Sequence, residues 1–217
     1  MARLAPCALW SCFAAALTSC GGSPAWSVTA HVPAPGTYQL SGPDGTGGSQ
    51  AVVVQDNIVF MTQTTPSGTT QTNLTVDRKG LHLADVYTSA LTCTPQTGPL
   101  VIPSRLWEGE SWNASYPCYA ATADNPFDVT FSVHARVVTQ AVLSVAAEPV
   151  PVVTIIYTTT ERNQWNQVIE EIIDTDSLDP RSGLVIQEMI KSSGNMGYLS
   201  VTWKFERPPE AEGGSFG

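Results

Sequence analysis

Between Phe127 and Val137 the chain alternates apolar and polar residues without a break. Phe127, Val129, Phe131, Val133, Ala135 and Val137 fall on one side; Asp128, Thr130, Ser132, His134 and Arg136 fall on the other. A period of two places successive side chains on opposite faces of an extended strand, one buried and one wet. Such a strand needs neighbours to pair its backbone and an apolar layer to cover its inner face.

The rest of the sequence supplies them. Val52, Val54 and the run Ile58 to Met61 flank Asp56-Asn57, which predicts a tight turn. Asn73 to Val76 and Leu81 to Tyr87 flank Asp77-Arg78-Lys79-Gly80 and predict a second hairpin. Val152 to Thr160, Leu184 to Ile190 and Tyr198 to Phe205 are further strands. Short turns between sequential strands imply antiparallel meanders. One segment, 161–175, fits two readings. Trp165, Val168, Ile169, Ile172 and Ile173 have the spacing of an amphipathic helix, and Thr158 and Glu161 have capping-box spacing before it. The turn residues Asp179-Pro180-Arg181-Ser182-Gly183 suggest a hairpin instead. The expectation is a mainly β domain with at most one helix.

The first twenty residues have a different character. Arg3 precedes an apolar stretch from Leu4 to Leu17, interrupted by Pro6 and Ser11. It is shorter than the roughly 20 residues that cross a bilayer and has the order of a secretory leader. Ala14-Ala15-Ala16 offers an ordinary cleavage site. Leu17-Thr18-Ser19-Cys20 resembles the lipobox of bacterial lipoproteins, which implies cleavage before Cys20 and acylation of its thiol. On that reading residues 1–19 are a leader, and the protein sits in the cell membrane or outer membrane with its domain outside the cytoplasm. The Gly-, Pro- and Ser-rich residues 20–35 read as a tether, 36–206 as the β-rich domain and 207–217 as a disordered tail.

Cysteine parity favours the lipobox. Cleavage leaves Cys20, Cys93 and Cys118, an odd number for an exported protein. With lipid on Cys20, Cys93 and Cys118 are free to form a disulfide in an oxidising compartment. The alternative, a redox or metal pair, has no C-x-x-C spacing and no nearby His to support it. Loss of Arg3 with the leader takes the formal net charge from −9 to −10. An acidic chain repels phosphate, so nucleic acid is not an expected partner.

Gly36-Thr37-Tyr38, Ile102-Pro103, Gly109-Glu110-Ser111-Trp112 and Asp179-Pro180-Arg181-Ser182-Gly183-Leu184-Val185 together resemble the uncharacterised β-rich envelope proteins of bacteria, many of them lipoproteins. More distantly the layout is similar to the half-barrel carriers LolA and LppX. The resemblance implies a single domain with a strongly curved antiparallel sheet or half-barrel, whose concave apolar face holds a lipid. It brings no catalytic residues.

Chemistry-bearing motifs are few. His31, His82 and His134 lack metal-site spacing. Gly213-Gly214-Ser215-Phe216-Gly217 matches G-x-S-x-G, but a free tail cannot form the strained strand-to-helix turn the nucleophile needs. Asp174, Asp176 and Asp179 precede a Gly, yet Leu178 and Val185 stand where a calcium loop needs oxygen ligands, so a solvated acidic turn is expected. Trp107, Trp112, Tyr116 and Tyr119 are read as packing around the disulfide rather than as a sugar platform. No metal or cofactor motif emerges. The expected function is non-enzymatic: a membrane-anchored binder of a lipid or other apolar envelope ligand, or alternatively a structural or protein-docking domain. A catalytic site assembled from distant residues would show itself as Asp and Glu converging in a cleft with perturbed ionisation.

Overall fold

Turn chemistry decides the local pairings. The computed structural model describes residues 26–120, 127–194 and 197–217, so the leader, the Leu17–Cys20 motif and Cys20 itself lie outside the described residues. The strands are β1 (Ser27–Thr29), β2 (Gly36–Ser41), β3 (Gly47–Gln55), β4 (Ile58–Thr65), β5 (Gly68–Asp77), β6 (Gly80–Tyr87), β7 (Leu91–Cys93) and β8 (Leu100–Pro103). They continue as β9 (Arg105–Trp107), β10 (Ser111–Ala120), β11 (Phe127–Val145), β12 (Glu148–Asn163), β13 (Val168–Asp179), β14 (Leu184–Gly194) and β15 (Gly197–Phe205). Among the described residues there is no α-helix; one 3-10 turn, Pro43–Gly45, lies between β2 and β3. At the β5–β6 turn Asp77 Oδ1 accepts hydrogen bonds from the Lys79 and Gly80 amides, which makes this the expected hairpin.

The sheet is curved, antiparallel and closed. Its order is β5-β4-β3-β2-β15-β14-β13-β12-β11-β10-β7-β6, and β6 pairs back onto β5. Closure leaves a barrel whose strands have no long free edge. β8 pairs with β6 beside the ring, and β1 pairs with β9 in a separate ribbon. The seam between β15 and β2 is short, with Ser41 opposite Lys204 and Leu40 opposite Phe205.

The segment with two readings is extended. β12 runs to Asn163, a turn occupies 164–167, and β13 starts at Val168. Asn163 Oδ1 accepts the amides of Trp165 and Gln167, which bends the chain at once and forbids a helix. The apolar residues at helical spacing then part company. Trp165 and Ile173 are exposed, whereas Ile169 packs inward.

Two apolar clusters fill the interior. The larger includes Leu81, Leu106, Ile155, Leu178, Leu184 and Ile186, all fully buried. Each such side chain contributes about 1.5–3 kcal/mol of transfer free energy. The smaller contains Cys93, Cys118, Val129 and Phe131, and Cys93 and Cys118 form the expected disulfide. The inward face of β15 records the gradient between its ends: Phe205 is 2% exposed and Leu199 is 53% exposed.

Within the two stretches expected to lie outside the domain, residues 30–34 and 213–216 are packed into it. Ala30, Val32 and Ala34 are buried. Their amides donate to Ser104, Gly214 and Ser182 carbonyls respectively. The tail returns the contact, with the Gly213 amide on Arg181 O and the Gly214 amide on Val32 O, and Phe216 packs on the larger cluster. Residues 30–34 and 213–216 therefore strap the β13–β14 turn and seal that end of the barrel. The tail is held because its glycines allow close approach: a Cβ on Gly213 would run into the Val32 carbonyl.

Candidate functional site

β13 alternates like β11, but with acids on its inner face. Ile172, Asp174, Asp176 and Leu178 point inward. Asp174 stands opposite Tyr157 of β12, and Asp176 opposite Glu188 of β14. Antiparallel partners project to the same face, so three carboxyls meet inside the barrel. One oxygen from each of Asp174, Asp176 and Glu188 lies within 4.8 Å of the others.

This corrects the expectation of a solvated acidic turn. Only Asp179 belongs to the turn, where it is buried; its Oδ1 accepts the Arg181 amide and its Oδ2 the Ser182 hydroxyl. Asp174 and Asp176 lie on the strand before it, turned into the core. Asp174 Oδ1 and Asp176 Oδ1 have no surface and accept no hydrogen bond. Glu188 accepts one long hydrogen bond, 3.5 Å, from the Gln63 side chain.

The trio borders a cavity of about 320 Å³. Its walls are Leu83, Leu100, Trp112, Tyr116, Tyr157 and Ile172, with Thr72 and Thr159 adding hydroxyls. Trp112 and Tyr157 meet edge to face at 6.2 Å, and Tyr116 stacks on Phe131 of the smaller cluster at 5.8 Å. The Tyr157 hydroxyl donates to Val101 O at 3.2 Å, which ties β8 across the cavity. Among the described residues no Lys, Arg or His lines this space.

Burial without a counter-charge sets the ionisation. Burial raises the Asp174 carboxyl to about 8, and the Glu188 charge adds to the rise. Asp176 is raised well above the carboxylate range, first by burial and then by Asp174 and Glu188. Burial also raises Glu188. Further along the same inner wall, burial and then Glu170, its cross-strand partner, raise Glu161.

The other sequence candidates fall elsewhere. His82 bridges Asp77 and the Gly98 carbonyl, and His134 pairs with Asn113 on the outer face. The aromatic stretch splits by strand parity: Trp112 and Tyr116 turn inward, while Trp107 and Tyr119 are exposed. Ser215 lies on a docked strap rather than a free tail, and it is exposed. Two acids of the trio carry a sequence signal. Ile172-Asp174-Asp176-Leu178 read at a period of two puts acids on an apolar face, and the helical spacing of 165–173 obscured it.

No family model matches the chain, and no curated protein matches it. Among solved structures it is similar to the hypothetical lipoprotein YmcC from Escherichia coli, with a TM-score of 0.46, 14% identity, and 81% of this chain and 85% of that chain covered. It is also similar to a protein of Bacteroides fragilis described as exported, with a YmcC-like fold. There the TM-score is 0.45, the identity 10%, and the coverage 83% of this chain and 99% of that chain. Likeness at this level assigns no activity. Neither neighbour is described as a LolA or LppX carrier.

Proposed function

We propose that this protein is a bacterial envelope lipoprotein, held to a membrane by lipid on Cys20, whose barrel binds a ligand with an apolar body and leaves it unreacted. The cavity between the two apolar clusters carries the reading. Its volume falls in the range of small-molecule sites, and close-packed interiors leave few voids larger than a water molecule. Asp174, Asp176 and Glu188 also meet the sign named above for a catalytic site, acids converging in a cleft with raised ionisation, and recovery of the bound ligand chemically unchanged separates the two readings. The anchor rests on Leu17-Thr18-Ser19-Cys20.

Intact-mass measurement of the protein from its native membrane tests this. The expected result is acyl chains on Cys20 and a second mass that is lost on denaturation. A protein that carries no second mass, and gains none from a lipid extract, overturns the binding reading.

A specific observation favours a second reading, a protein-docking domain. Trp165 is 72% exposed at the β12–β13 turn, and Tyr198 is 71% exposed beside the β14–β15 turn. Glu170 pairs with Gly194, so the two turns stand side by side. Docking predicts that the double variant Trp165→Ser, Tyr198→Ser loses crosslinks to an envelope partner. Unchanged crosslinks remove that reading.

A further inference from the structure

We propose that the ligand of this cavity carries a primary ammonium group, seated among Asp174, Asp176 and Glu188, with its apolar body against Trp112, Tyr116 and Tyr157. The inference rests on the cavity being a ligand site and names the class of ligand.

Geometry is the first argument. A primary ammonium has three donors in near-tetrahedral directions. Charge-assisted bonds of about 2.8 Å along them set the acceptor oxygens about 4.6 Å apart. The three carboxyl oxygens here lie within 4.8 Å of one another. The second argument is the unmet polarity. Asp174 and Asp176 border the cavity, and the Oδ1 atom of each is shut off from solvent without a hydrogen-bond partner. A buried acceptor left unpaired is costly, and a donor brought by a ligand removes that cost. The groups that face the trio offer little. Gln63 gives Glu188 one long bond, and the Tyr157 proton is committed to Val101 O.

Charge and wall chemistry agree. Glu161 and Glu170 continue the acidic inner face beyond the trio, and no cationic side chain is among the cavity's lining residues. Aromatic walls attract ammonium groups through the negative faces of their rings. Calcium fits less well. Calcium takes six to eight oxygens, and most of the cavity wall is carbon: Leu83, Leu100 and Ile172 border the same space.

The test uses the exported chain from residue 20, with Cys20→Ser so that it is soluble. Calorimetric titrations at pH 8.5 compare octylamine, 1-octanol and calcium chloride. Octylamine is expected to bind at least about ten-fold more tightly than octanol, as a charge-assisted bond of about 1.4 kcal/mol or more requires. The variant Asp174→Asn, Asp176→Asn is expected to lose that preference while retaining octanol, which also shows that it is folded. Equal affinities for amine and alcohol, or a preference that survives in the variant, overturn the ammonium seat but leave the apolar-ligand reading standing. Calcium binding without octylamine binding makes the trio a metal site and overturns the proposal. Binding of neither organic probe overturns the cavity reading itself.

Discussion

Asp176 on β13 faces Glu188 on β14 directly across the ladder, two acids in an apolar interior with no base between them. Together with Asp174 they hold more protons in the folded state than in the unfolded chain. Ordinary carboxyls titrate near pH 4, and Asp174 is raised to about 8. The folded state binds the extra protons between those values, so stability falls as pH rises through that window. The melting temperature of the ligand-free protein is therefore expected to drop from pH 5 to pH 9. The variant Asp174→Asn, Asp176→Asn is expected to flatten the profile. A melting temperature that rises over this range contradicts the assignment.

Gly183 has φ of 69°, and a Cβ there would strike the His31 carbonyl of the strap. Gly183→Ala combines left-handed strain with displacement of residues 30–34. It is expected to cost about 2–3 kcal/mol in urea unfolding. Limited proteolysis should then cut between Trp26 and Gly36, because the strap is the part displaced.

Cys93 and Cys118 lie 25 residues apart and are buried with Val129 and Phe131. Cross-linking a loop of that length stabilises by roughly 3 kcal/mol in the chain-entropy model. Cys93→Ala, Cys118→Ala should lower the unfolding free energy by about that amount. A loss below about 1 kcal/mol would show that packing in the small cluster, rather than the covalent link, closes this side of the barrel.

Ala146 and Ala147 connect β11 to β12 with φ of 50° and 69°. Both positions of such a hairpin turn favour Asn-Gly, and an L-residue with a Cβ is strained there. Ala146→Asn, Ala147→Gly is expected to gain about 1 kcal/mol, measured as a higher urea midpoint at constant slope.

Those two alanines also mark how far the fold could be read from sequence. The first half of β11 announces itself through alternation, and Asp77 and Asp179 announce their turns because their side chains bond the backbone locally. Ala146-Ala147 carries no such chemistry, so β11 reads as ending at Val137 although it runs to Val145. Pro149 and Pro151 hide the start of β12. They are tolerated because β12 pairs with β13 only from Val153 onward, which frees their positions from donating on that side. Closure is invisible locally, since Ser41 meets Lys204 through pairing that no short window contains. The acid trio was hidden by coincidence. Trp165, Val168 and Ile172 happen to have helical spacing across a turn and the strand after it, and the turn residues nearby lent Asp174 and Asp176 a false context.

The strap has a mechanical consequence. Any tension on the N-terminal segment is met first by the β1–β9 pairing and then by residues 30–34, through their hydrogen bonds to Ser104, Ser182 and Gly214. Between those bonds and the acid trio lie Ile155, Leu178, Leu184 and Ile186, all fully buried. A pull on the chain would thus peel the terminal strands from the sealed end before it strained the cavity walls, so the acid-lined cavity is mechanically insulated from the N-terminal segment.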